Sequence, residues 1–172
     1  MNKMNVVAFQ ATSHVLGAAT RSTQPDQALT VEDVVANGIV VRDTQNAGLQ
    51  ALIDKSHLMI ALVDYDTRLL YRPQLFALTD DLRAEQQSDG AALAVVLDGI
   101  SITVTLPLTT PSDIEVFVHL TGGALAEPAL RAVPIPKASA VGMVSLVLGA
   151  GSYTVVILAP GYTPRIVTEP VP

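Results

Sequence analysis

ASAVGMVSLVLGAGSYTVVILAPGYTP, residues 138–164, runs between Lys137 and Arg165 without one charged side chain. Whether it crosses a membrane or sits in a water-soluble core decides the fold. A spanning helix needs roughly 20 consecutive apolar, helix-compatible residues, so length alone admits one. The interior does not. Gly149, Gly151 and Ser152 cluster at the middle, where glycine and serine mark a turn, and Pro160-Gly161 closes the second half. On either side stand two runs of strand length, GMVSLVL and YTVVILA. Val155, Val156 and Ile157 in succession crowd a helix, because branching at Cβ restricts χ1, and suit a buried strand. The expectation is a β-hairpin deep in a core, not a transmembrane segment.

The neighbouring sequence keeps this grammar. In GISITVTLP, Ile100, Ile102, Val104 and Leu106 alternate with Ser101, Thr103 and Thr105, a period of two with one buried face. DIEVFVHL sets Ile114, Val116, Val118 and Leu120 on one face and Glu115, Phe117 and His119 on the other, which is expected to be solvated. Pro111 and Asp113 mark the turn between these strands. AEPALRAVPIPKAS, within a loop running to Ser139, is too rich in proline for a central strand or a continuous helix. PGYTPRIVTEPVP ends in an edge-like strand blunted by Pro164 and Pro170. Tyr153 and Tyr162 are expected to pack their rings and send their hydroxyls to loop carbonyls.

The succession ISITVTLP, IEVFVHLTGG and GAGSYTVVILAPGY resembles the small β-sandwich of carboxypeptidase regulatory-like and transthyretin-like domains. The resemblance covers residues 99–167, less than half the chain. It implies an immunoglobulin-like sandwich used as a stabilising or adhesive accessory, and it brings no activity with it. The loop 124–139 departs from the pattern.

The first half is less regular. MNVVAFQA and SHVLGAAT read as paired strands with a bend near Ala11-Thr12, and STQPDQ as a loop. Thr30 is placed to cap a short helix in LTVEDVVAN, with Glu32 and Asp33 in its first turn and Asn37-Gly38 at its end. GIVVRD reads as a strand and NAGLQALIDKS as one or two helical turns. LMIALVDYD and RLLYRPQLFALTD flank Asp66-Thr67 as a hairpin, the second strand demoted or split by Pro73. RAEQQSDG has linker composition. The expected architecture is therefore mainly β: residues 1–86 as a β-rich unit with one or two short helices, and residues 87–172 as an immunoglobulin-like sandwich. Units of this size bury a marginal core, so each would lean on the other or on a partner.

Of 172 residues 49% are hydrophobic, yet only 4% are aromatic and none is Trp, so the core is built from Val, Ile, Leu and Ala. Ten Lys and Arg against 16 Asp and Glu give a net charge of −6. The cations are scattered singly, which argues against nucleic acid, whose binding draws on phosphate neutralisation. Absence of cysteine excludes disulfides, thiolate metal sites and a Cys nucleophile. Gln10, Thr12, Ser13 and His14 interrupt the N-terminal apolar stretch too early for a secretory signal. Synthesis in the cytoplasm is the expectation.

The sequence carries no catalytic or metal-binding motif. His14, His57 and His119 form no zinc-type pair. Ser13-His14 and Ser56-His57 are neighbours along the chain, and in a strand adjacent side chains point to opposite faces. Asp64 and Asp66 share a side of an extended segment, where Ca²⁺ is conceivable, but D-x-D-x-D-G spacing is missing. These two and Asp80-Asp81 read as solvated turn residues. Gly149-Ala150-Gly151 lacks the third glycine and the following helix of a dinucleotide fingerprint. No catalytic, cofactor-binding or metal-ligating residue is assigned, and no cofactor is expected.

The leading expectation is a non-enzymatic structural subunit of a larger assembly, virion-like or phage-tail-like. Its partners would be other protein subunits, as a homo-oligomer or within a hetero-assembly, joined by strand addition at sheet edges. The alternative is a binding module that recognises a saccharide or a protein surface through loops 109–113, 122–139 and 160–164. An enzyme ranks third.

Overall fold

The structure, a computed structural model, describes residues 3–19, 27–43 and 48–172. Among them the chain is mainly β, with fourteen strands and two short α-helices. It divides into two compact units, Met1–Val41 with Leu52–Ser88, and Arg42–Ala51 with Asp89–Pro172. No helix among the described residues is long and apolar enough to cross a membrane.

In the first unit β1 (Lys3–Phe9) is the middle of a three-stranded sheet, flanked by β2 (Val15–Ala19) and β5 (Leu58–Asp64). The expected β1–β2 pairing is present, with the turn at residues 10–13. Met4, Val6 and Ala8 of β1 pack with Val15, Ala61 and Val63 in one buried cluster, as period-two patterning requires. Helix α1 (Val31–Val34) starts as expected: Thr30 Oγ1 accepts the Asp33 N–H, and Asp33 reaches back to the Thr30 N–H at 2.9 Å, a reciprocal capping box. The loop expected at STQPDQ lies, Gln27 apart, outside the described residues.

Three expectations for this half need correction. NAGLQALIDKS is mostly strand where described: β4 (Gln50–Asp54) pairs with β3 (Gly38–Arg42), and only its last two residues enter a 3-10 turn, Lys55–His57. Ala51 and Ile53 are buried while Gln50, Leu52 and Asp54 are exposed, so the true period is two. No hairpin turns at Asp66-Thr67. Asp66 instead caps helix α2 (Thr67–Tyr71), its Oδ1 accepting the Arg68 N–H at 2.8 Å. Pro73 splits the segment, and the strand beyond it, β6 (Phe76–Leu78), pairs with β7 (Ala84–Gln86). RAEQQSDG thus contributes a strand where a linker was expected.

The second unit holds β8 (Ala94–Leu97), β9 (Ser101–Thr105), β10 (Ile114–Gly122), β11 (Ala129–Ile135), β12 (Val141–Ser145), β13 (Gly151–Leu158) and β14 (Arg165–Val171). They form a three-stranded sheet, β12-β9-β8, and a four-stranded sheet, β11-β10-β13-β14. Val95, Ile102 and Val104 from the first meet Val118, Val133 and Val155 from the second in one hydrophobic cluster. β14 takes the expected edge position.

The uncharged stretch is indeed extended, but its two runs are not a hairpin. β12 pairs with β9, whereas β13 lies between β10 and β14. Burial separates them: Val155, Val156, Ile157 and Leu158 are all buried, while β12 exposes Val141, Met143 and Ser145. A two-residue hairpin turn would have to sit at the glycines. Instead residues 146–150 link the two sheets and are tied to Tyr153, whose hydroxyl donates to the Gly149 carbonyl at 2.7 Å and accepts the Ala124 N–H at 3.3 Å. Gly123 makes room: its φ is +56°, and a Cβ there would stand 2.2 Å from the ring.

Two smaller corrections follow. The proline-rich loop 124–139 contains β11, which is an edge strand, so Pro134 sits where a missing N–H is tolerated. His119 is 3% exposed and does not lie on a solvated face.

Candidate functional site

None of the titratable groups singled out from the sequence assembles into a reaction centre. His14 is buried with Nδ1 2.6 Å from Thr12 Oγ1, and His57 rests near the Phe9 ring. Lys3 donates to Asp64 at 2.8 Å and Arg68 to Asp66 at 2.7 Å, so each carboxylate has its own cation. These donors hold both carboxyls below the usual range. Asp81 pairs with Arg83 at 2.7 Å. Among the described residues no three His, Asp or Glu side chains are grouped to hold a metal ion.

The candidate recognition loops are only partly brought together. Thr110 Oγ1 donates to the Pro136 carbonyl at 3.0 Å, the Ala138 N–H to the Thr110 carbonyl at 2.8 Å, and the Lys137 N–H to Asp113 Oδ1 at 2.7 Å. Loops 109–113 and 136–139 are therefore one connected surface. The chain at 160–164 leaves the sheet at the same end, since Leu158 lies opposite Phe117. Residues 122–128 lie at the opposite end, against Tyr153, with β11 in between.

The feature missed from the sequence is the outward face of the three-stranded sheet. Register places Val141, Thr105 and Ala94 in one row across β12, β9 and β8, and Met143, Thr103 and Val96 in the next. No charge stands in either row. Val96 is 59% exposed, Met143 65% and Val147, just past β12, 82%. The available signal was the parity of V-G-M-V-S: if Gly142 faces inward, its neighbours on both sides face out.

The strand edges differ in the same sense. β11 carries Arg131 and Pro134, and β14 carries Arg165, Glu169 and Pro170; charge and proline on an edge discourage further pairing. β8 is short and runs into Asp98. β12 has neither guard. Leu106 N–H donates to the Ala140 carbonyl at 2.8 Å and Leu146 N–H to the Ile100 carbonyl at 3.0 Å. By antiparallel alternation, even-numbered residues of β12 bond to β9, and odd-numbered ones turn N–H and C=O to the open side. At Val141 the Ser139 hydroxyl takes both groups, at 3.1 and 2.9 Å. That leaves Met143 and Ser145 presenting two donors and two acceptors.

The turn joining β8 to β9 is held by Asp98, whose carboxylate accepts the N–H groups of Ile100 and Ser101 and the Ser101 hydroxyl, at 2.9, 2.6 and 2.8 Å. The Ile100 N–H first, then Ser101, keep this carboxyl below the ordinary value of 3.8. A carboxyl that is more acidic folded than unfolded stabilises fully above the unfolded value, and that stabilisation fades as pH falls through the folded one. Melting temperature should therefore fall on acidification into and below the ordinary carboxylate range. Asp98→Asn should shrink that fall relative to the parent chain; an unchanged acid limb would contradict the assignment.

No protein-family model, no curated protein and no solved structure matches this chain.

Proposed function

We propose that residues 87–172 form an immunoglobulin-like sandwich of the carboxypeptidase regulatory-like or transthyretin-like kind. On this reading the protein is a non-enzymatic structural subunit of a larger assembly, virion-like or phage-tail-like, that contacts its neighbours through sheet edges. Two features support the sandwich. The chain crosses between the two sheets three times, from β9 to β10, from β11 to β12 and from β12 to β13, as Greek-key connections do. Tyr153, near the start of the penultimate strand, bonds the backbone four residues upstream, the tyrosine corner of such sandwiches.

The observation that carries the assembly reading is the unguarded β12 edge beside an uncharged outer face. A chain that works alone blunts its edges, and this one blunts those of the four-stranded sheet while leaving β12 bare. Sedimentation velocity from micromolar to near-millimolar protein tests it. Growth of the sedimentation coefficient with concentration is expected; a monodisperse monomer throughout would overturn the proposal.

The second reading, recognition of a saccharide or a protein surface, draws on the joined loops 109–113 and 136–139, where Leu108 is 70% exposed just ahead of them. Binding on a glycan array or in pull-downs, lost when these loops are replaced, would favour it.

A further inference from the structure

We infer that the occupant of the β12 edge is a second copy of this chain, paired antiparallel about a two-fold axis through Val144. The inference rests on the reading of sheet edges as contact sites, and adds the partner and the register.

The register follows from which groups are unclaimed. A two-fold at Val144 sets Met143 opposite Ser145 of the second copy, and Ser145 opposite its Met143. Each pair exchanges two N–H···O=C bonds, four in all, using the two donors and two acceptors each copy presents. A two-fold at Met143 would instead set Ser145 against Val141, whose N–H and C=O the Ser139 hydroxyl already holds. The same operation places Val141 opposite Val147 of the second copy, so two exposed valines cover each other on the outer face. The sheet continues as β8-β9-β12-β12′-β9′-β8′, its central rows uncharged.

Charge also favours a second copy at this edge over other meeting points. Two chains of net charge −6 repel wherever carboxylates face each other within a Debye length of about 8–10 Å. The uncharged stretch 138–164 brings none to the seam. The contact is modest. Five residues of strand make a seam only about 17 Å long, and the area it covers falls short of the roughly 800 Å² per partner of a standard interface, so a dissociation constant in the micromolar-to-millimolar range is expected for the isolated pair. Repetition within an assembly would strengthen it through effective concentration.

The test uses the full chain, which has no cysteine of its own. Opposed hydrogen-bonded residues have Cα atoms about 5.5 Å apart, within the disulfide window of roughly 4.4–6.8 Å. Identical residues of the two copies are offset by two positions, roughly 8–9 Å apart. Under mild oxidation, Met143→Cys mixed with Ser145→Cys should therefore give a covalent dimer at least ~10-fold faster than either variant alone. Met143→Lys, at an exposed position, should keep the parent circular dichroism and melting temperature and raise the dimer's dissociation constant at least ~10-fold. If the parent chain associates, but Met143→Lys associates equally and the mixed cysteines show no preference, the inference fails and the assembly reading stands. If the parent chain stays monomeric throughout, both fail.

Discussion

Replacing Tyr153 by alanine is expected to destabilise the second unit by about 3–5 kcal/mol, the range for truncating a buried aromatic side chain. The ring is fully buried among residues of both sheets, and its hydroxyl bridges the Gly149 carbonyl and the Ala124 N–H. Alanine would empty the ring's space in the core and leave both backbone groups without that partner. Tyr153→Phe separates the two contributions. It keeps the ring and removes the hydroxyl, so a loss of about 1–3 kcal/mol is expected. Denaturant unfolding of both variants checks this. A phenylalanine variant as stable as the parent would show that the hydroxyl does not fasten the crossing.

Gly142→Ala is expected to cost about 1–3 kcal/mol through overpacking, a large effect for one methyl group. Gly142 is, with Val144, an inward residue of β12, and a Cβ there would stand 2.5 Å from the Pro134 carbonyl oxygen and 2.7 Å from Ile135 Cγ1. The oxygen is backbone and cannot swing aside, so β12 and β11 would have to part. A fall of several degrees in melting temperature follows for a chain of this length, at roughly 2–4 °C per kcal/mol. The neighbouring Met143→Ala, at an outward position, should change the melting temperature far less. If both substitutions act alike, the assignment of inward and outward faces along β12 is wrong.

Strands with strict alternation were legible in the sequence. β9 and β10 bury Ile102, Val104, Val116 and Val118 as their period of two requires. The cap at Thr30 was readable as well, because it depends on contacts three residues apart; the reciprocal bond from Asp33 is what the structure adds. What could not be read was pairing. The glycine-rich centre of 138–164 looks the same whether the chain turns back within one sheet or crosses to another, and the choice depends on Tyr153 meeting Ala124, 29 residues away. Asp66 likewise misled, since a turn and a helix N-cap draw on the same short polar side chain. β4 was obscured because its apolar residues are few and its exposed Leu52 blurs the alternation.

The candidate edge was hidden for a related reason. Val141, Met143 and Val147 are apolar, and apolar residues in a glycine-flanked run invite a buried reading. The parity about the inward Gly142 and the register against Thr105 and Thr103 turn Val141 and Met143 outward. The carboxylates at Asp64 and Asp66, expected as turn residues, instead end β5 and cap α2, and each one meets a cation.

Everything proposed for the β12 edge depends on the uncharged stretch giving one strand to each of two sheets. Disulfide trapping in dilute, monomeric protein tests this most directly. Thr103 and Met143 are opposed on β9 and β12, a non-hydrogen-bonded pair with Cα atoms about 4.5 Å apart. Leu146 and Thr154 are the pair that a hairpin turning at Ala150 would oppose. The Thr103→Cys/Met143→Cys chain should close an intramolecular disulfide on mild oxidation and keep its fold, while Leu146→Cys/Thr154→Cys remains a dithiol. Closure of the second pair in place of the first would contradict the account.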